Sequence, residues 1–233
     1  MLFHSLHTGS RNRAGRNNQG KITCRHRGSR HARKHRSVGF FNHSFGKYKI
    51  ISFHYDPFRK CDLALVKHTC NSSYAYIIKA QGMSVNSFLT ISYSFSVAFK
   101  EFTPGACFSV KAFPLGSFLH FVGNRAASNG VFSNAAGCFC ILIQKGDKHC
   151  LVKLISGKVN LISSIALASF GKVGNEFFYL KKLKKAGQKR WAGFRPTVRG
   201  VAINPVDHPH GGGEGKSTGG RPSVSPWGKL AKK

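Results

Sequence analysis

The sequence predicts an all-β protein in which small barrels lie between two basic, irregular arms. Three observations carry this. Residues 89–99, LTISYSFSVAF, alternate large apolar with small or polar side chains, the period-two pattern of a half-buried strand. Shorter β-prone runs stand at 48–53, 62–66, 74–79, 118–122, 138–144, 150–155 and 159–162, with the hairpin-type turns Gly146-Asp147 and Ser156-Gly157 between the last three. No long helical period accompanies them, so the pattern excludes a doubly wound sheet and favours barrels.

Taken in chain order, the first element is an arm. Residues 1–37 contain no acidic residue and are dense in Arg, His, Asn and Gly. Guanidinium forks and asparagine amides suit phosphates, sugar hydroxyls and base edges, while Gly9, Gly15, Gly20 and Gly28 let the backbone thread a groove. With so few apolar residues to offset its ordering entropy, this arm is expected to be unstructured in the free chain. Its Arg-rich, acid-free start also has the look of a mitochondrial presequence, with no cleavage site to mark. The β block begins near Phe45, and the KAFPLG stretch at 111–116 reads as a connector inside it. Residues 181–190, KKLKKAGQKR, suggest a helical turn that breaks at Gly187.

Residues 200–228 have no hydrophobic period and hold eight glycines, four prolines and two carboxylates, Asp207 and Glu214. That composition makes a loop that lies against something. Pro205 and Pro209 stiffen the backbone around Asp207 and His208, and Gly211, Gly212 and Gly213 remove the side chains that would hold a partner away.

Charge names the partner's class. The chain carries 37 Lys plus Arg against 7 Asp plus Glu, a net +30 that repels itself until a polyanion neutralises it. The ends are the basic parts: residues 1–60 contribute +13, 61–171 +6 and 172–233 +11. Nucleic acid fits, and a membrane does not, because neither arm has an amphipathic apolar stripe and no apolar run reaches the roughly 18 residues of a spanning helix. Seven cysteines, an odd number without a C-x-x-C pair, read as small buried hydrophobes rather than disulfides or a zinc ribbon. Cys138 and Cys140 fall on one face of a strand as core residues.

Longer strings carry a resemblance. Residues 195–215, RPTVRGVAINPVDHPHGGGEG, with 224–229, VSPWGK, closely resemble the signature of the universal large-subunit ribosomal protein two family, L-two. GRNNQGKITCRHRG at 15–28, HYDPFRKCDLALV at 54–66 and KAGQKRWAGFRPTVRG at 185–200 resemble further family motifs in the same order. The resemblance implies a basic arm over 1–44, an OB-type barrel over 45–113, an SH3-like barrel over 114–190 and an extended Gly/Pro-rich tail over 191–233. It implies a structural constituent of a large ribosomal subunit that binds rRNA, neighbours other ribosomal proteins, supports the peptidyl transferase centre and catalyses nothing itself. The Phe- and Ser-rich expansion over 80–111, a short basic lead and an end at Lys233 depart from the family pattern. They suggest an organellar member, mitochondrial, with a plastid as the alternative.

Two enzyme-like patterns also lie in this loop. GGGEGKS at 211–217 approaches a phosphate loop, but the glycine required five residues before Gly215 is His210. Asp207, His208 and His210 would suit a catalytic metal, yet further ligands are scarce in so acid-poor a chain. The alternative from another class is therefore a metal- or nucleotide-dependent hydrolase acting on nucleic acid.

The residues assigned to rRNA are Arg16, Asn17, Asn18, Arg25, His26, Arg27, Arg30, Arg195, Arg199, Asn204, Asp207, His208, His210, Gly211, Gly212, Gly213, Lys216, Arg221, Trp227 and Lys229. The arginines take phosphates, Asn17 and Asn18 take base or sugar edges or form ordinary turns, and Trp227, with Trp191, stacks on bases or packs on the barrel. Asp207 and Glu214 each form an ion pair with a neighbouring cation or help hold a Mg²⁺ bridging to phosphate; the ion pair is favoured. No cofactor and no small-molecule substrate are expected. His208, the most exposed functional candidate, matches the family histidine linked to peptidyl transfer and is expected to hold rRNA geometry.

Overall fold

β-Branched and aromatic residues at alternate positions build the strands where the sequence places them. The computed structural model describes residues 6–40, 45–92, 102–126, 128–215 and 217–232. Its contacts divide the chain into two units, one of residues 1–10 and 32–182, the other of 11–31 and 183–233.

The first unit holds the described strands. β1 (His7–Gly9) pairs antiparallel with β2 (Lys34–Arg36) inside the segment expected to be unstructured. Backbone hydrogen bonds need no apolar face, and the His7 ring adds an edge contact to Tyr76 with centroids 5.6 Å apart. β3 (Gly46–His54), β4 (Leu63–His68), β5 (Tyr74–Ile78) and β6 (Phe88–Ile91) follow the runs read from sequence. Residues 89–91 of the long alternating run are strand; 93–99 lie outside the described residues. β3 is flanked by β4 and β6, and its register against β4 shifts between Ile50 and Ser52, a bulge of the kind that bends a strand toward closure. Tyr48, Ile50, Leu63, Leu65, Tyr76 and Leu89 fill the core under these strands.

β7 (Cys107–Ser109) meets β6 through one parallel pairing, Ile91 with Cys107, and pairs antiparallel with β12 (Leu167–Phe170). β8 (Phe118–His120), β9 (Cys140–Lys145), β10 (His149–Leu154) and β11 (Val159–Ser163) complete a ten-stranded order, β11-β10-β9-β8-β12-β7-β6-β3-β4-β5. Between β10 and β11, Gly157 takes φ +87° and donates its N–H to Leu154 O at 2.9 Å, the hairpin turn expected there. The stretch read as a connector opens with a 3-10 turn, Val110–Ala112, followed by Phe113, which is fully buried with Phe108, Leu119, Leu142, Val152 and Ile162 in a second core. Cys140 lies in that core; Cys138 precedes the strand and is half-buried. All seven cysteines are free thiols. His120 is buried in β8 with Nδ1 donating to Gly171 O at 2.9 Å, and burial pushes its pKa down to about 4. The architecture is nearly all β, as expected for an OB-type barrel followed by an SH3-like one.

One helix, α1 (Ala186–Trp191), lies in the second unit and runs through Gly187, where the sequence predicts a break. Glycine costs about 1 kcal/mol relative to alanine at such a position. A Cβ there would meet the Trp191 ring one turn on at 3.7 Å, an ordinary van der Waals contact.

Candidate nucleic-acid interface

The second unit gathers eighteen Lys and Arg against two carboxylates, and it brings together the two ends of the sequence. α1 stops at Gly193, whose φ of +97° lets its N–H donate to Arg190 O at 2.8 Å while Phe194 N–H donates to Lys189 O at 3.2 Å. This is the paired ending of a Schellman motif, and it turns the chain toward residues 25–31. There Gly28 N–H donates to Gly193 O at 3.1 Å, His31 N–H to Trp191 O at 3.2 Å and Arg195 N–H to His26 O at 3.0 Å. His26 Nδ1 donates to Pro196 O at 3.0 Å, and the Arg27 guanidinium lies 4.2 Å from the centre of the Phe194 ring. The N-terminal segment is thus not an isolated extended arm here. It is laced to the C-terminal tail by backbone bonds.

Upstream, Asn17 is spent on a turn: its Oδ1 accepts from Gln19 N–H at 3.0 Å and Lys21 N–H at 2.9 Å. Gly15 sits beneath the Cys24 carbonyl at φ +73°, where a Cβ would overlap that oxygen. Arg16 and Asn18 remain exposed beside them, and Arg30 is half-buried.

The loop after α1 folds on itself. Asn204 O accepts from Asp207 N–H at 3.0 Å and His208 N–H at 3.3 Å, Gly211 N–H donates to His208 O at 2.8 Å, and Gly212 N–H to Ile203 O at 3.1 Å. A Cβ on Gly211 would collide with Asn204 O, and one on Gly212 would stand 2.7 Å from Pro205 Cγ. These two glycines therefore serve the loop's own closure, not a partner's approach. Gly213, Gly215, Gly219 and Gly220 have positive φ and open space where a side chain would be.

His208 is only 9% exposed, which overturns the expectation of an exposed residue. Its ring lies against Gly200, where a Cβ would be 2.5 Å from Nδ1. His210 N–H donates to that Nδ1 at 3.0 Å, and Val224 N–H donates to His210 Nε2 at 3.1 Å. A ring nitrogen that accepts carries no hydrogen, so the hydrogen of the neutral His208 ring is on Nε2. Burial, then His210 and Arg25, hold the His208 pKa below the ordinary histidine value.

Several predicted residues converge on an open cleft of about 420 Å³: Arg25, His26, His208 and Trp227 line it, with Gly200 as its floor beside His208. Trp227 and Lys229 line a second cleft of about 260 Å³, while His210, Gly211, Gly212, Gly213 and Arg221 line a third recess. Arg195, Arg199, Asn204 and Asp207 are exposed, and Lys216 lies outside the described residues. Thr23, Cys24, Thr197, Val198 and Pro226 complete the first cleft without having been assigned to it from sequence, because small neutral residues in loops carry no pattern of their own. The ion pairs formed among the described residues are Arg59–Asp56 at 2.6 Å and Lys111–Asp147 at 2.8 Å; the pairing favoured for Asp207 and Glu214 is not among them. Among the described residues no three His, Cys, Asp or Glu side chains stand together as a metal site.

Comparison with known proteins agrees with this geometry. The family model for the RNA-binding N-terminal domain of ribosomal proteins L2 matches residues 3–91, and that for their C-terminal domain matches 103–228. The chain belongs to the ribosomal protein L2 family. It is 42% identical over 228 residues to the large ribosomal subunit protein uL2 of Wolbachia sp. subsp. Brugia malayi (strain TRS), covering 98% of this chain and 81% of that one. The uL2 of Anaplasma marginale (strain Florida) is 41% identical over 229 residues, covering 98% and 80%, and that of Wigglesworthia glossinidia brevipalpis 41% over 219, covering 94% and 77%. Three of the four L2-like motifs, at 15–28, 185–200 and 195–215, are the segments that the second unit folds together. The fourth, at 54–66, has a structural reason of its own: Asp56 is fully buried, accepts from Phe58 N–H at 2.8 Å and pairs with Arg59.

Proposed function

We propose that the chain is a structural, non-enzymatic constituent of the large ribosomal subunit that binds its rRNA and contacts neighbouring ribosomal proteins. The observation that carries this reading is the second unit, where eighteen cations and two carboxylates surround a loop matching the L2 signature. Arg16, Arg25, Arg27, Arg30, Arg195, Arg199 and Arg221 take phosphates, and the glycines at 213–220 let the RNA backbone lie close. Within this proposal the chain divides into arm, OB-type barrel, SH3-like barrel and tail at 44, 113 and 190. Asp207 and Glu214, both exposed, meet phosphate through hydrated Mg²⁺. The Phe- and Ser-rich expansion over 80–111 and the acid-free Arg-rich start support residence in an organellar ribosome, mitochondrial before plastid.

The test is co-sedimentation. The chain stays with the large subunit through a moderate salt wash, and loss of it to the supernatant would refute the assignment. Support of the peptidyl transferase centre rests on His208. Subunits carrying His208→Ala assemble but transfer peptide more slowly; normal transfer by assembled particles would remove that role.

A further inference from the structure

Trp227 is 58% exposed, yet it is held firmly. Its turn is closed by Ser225 N–H to Lys229 O at 2.6 Å, Gly228 N–H to Ser225 O at 2.9 Å, Lys229 N–H to Ser225 Oγ at 3.1 Å and Ala231 N–H to Ser223 O at 2.8 Å. A rigid turn that presents a large aromatic ring to solvent gains nothing for the fold by doing so. Two clefts, of about 420 and 260 Å³, both use Trp227 and Thr23 as walls, so the indole stands as the partition between them.

The lining says what fits. Val198, Gly200, Pro226 and Trp227 give the larger cleft carbon surface, Ile22 does the same for the smaller, and neither contains a carboxylate. Arg25 and Lys229 supply positive charge at each. A phosphate would be bound by a cluster of cations and N–H groups, not by such surfaces; a planar base whose sugar-phosphate runs past the cations matches both requirements. In the larger cleft the hydrogen that His208 has left to give is on Nε2, since its Nδ1 accepts from His210.

We propose that Trp227 is a wedge in single-stranded rRNA, its indole parting two neighbouring unpaired bases, one seated in each cleft, with His208 donating to an acceptor on the base in the larger one. This rests on the rRNA-binding reading above and names the nucleotides that reading requires: an unpaired pair, not a duplex.

The full chain carrying Trp191→Phe keeps Trp227 as its one tryptophan. Its fluorescence is read while a short single-stranded oligoadenylate, a duplex RNA of equal length, or heparin is added. Single strands quench Trp227 saturably, whereas duplex and heparin bind without quenching. Trp227→Ala weakens single-strand binding on the order of tenfold or more, Trp227→Phe restores most of it, and duplex affinity stays unchanged. Equal quenching by duplex or heparin, or tight single-strand binding without quenching, overturns the wedge. If that happens while the chain still sediments with the large subunit, the ribosomal reading stands alone; a chain that neither binds RNA nor co-sediments loses both.

Discussion

Replacing Gly211 with alanine tests whether the signature loop is shaped by its own closure. The new methyl would overlap the Asn204 carbonyl and stand 2.7 Å from Ile203 O. These are backbone atoms, so no side-chain rotation relieves the clash and the loop has to open. Opening gives up the Gly211–His208 and Gly212–Ile203 hydrogen bonds, at about 1 kcal/mol each. Residual overlap adds to that loss, and alanine's stiffening of the open chain returns about 0.4–1 kcal/mol, leaving a net cost near 2 kcal/mol. That corresponds to about a 30-fold shift in the opening equilibrium. Amide exchange at Gly212 in the full-length chain should rise by this factor, with Val152 in the second core unaffected. Gly9→Ala, where nothing lies within 4 Å, is the matching control. Exchange at the wild-type rate in Gly211→Ala would refute the argument.

Other perturbations address charge. His120 is neutral in the fold, so below the ordinary value of about 6.5 the unfolded chain takes up a proton that the folded one refuses until about pH 4. Stability is therefore complete above pH 6.5 and falls by about 3 kcal/mol as pH drops to 4, and His54, also lowered by burial, Arg36 and His7, adds in the same direction. Denaturant titrations at both ends of that range should show the loss, and His120→Gln should flatten it; an equal loss in the variant would exclude His120 as its source. Neutralising Arg25, Arg27 and Arg30 together as Gln should reduce the salt dependence of rRNA binding by a slope of roughly 2–3. An unchanged slope would mean that these side chains meet no phosphate.

The strands β3, β9 and β10 were legible because burial alternates along part of each and so writes a period of two, whereas β4, whose Leu63, Ala64, Leu65 and Val66 are all buried, and β5, β8 and β11 were legible as short apolar runs. β7 and β12, three and four residues long, are too short to write any period; they are strands because they pair with each other across Leu167–Ser109 and Ala168–Phe108. In the site, residue types announced the partner and the signature announced the loop. The burial of His208 was hidden, because it depends on Gly200 eight residues earlier and on the His210 backbone N–H that no side-chain pattern reveals. The lacing of residues 25–31 to 191–196 was hidden for a related reason: main-chain groups make nearly all of it, and every residue but proline carries those.

That lacing sets an order of events during synthesis. His26 and Pro196 are separated by 170 positions in the chain. At elongation rates of ~5–20 residues per second, the N-terminal segment waits on the order of ten to thirty seconds for its mate to be made. Throughout that interval the barrel strands between the two ends are free to pair first. The second unit is therefore the last part of the molecule that can close.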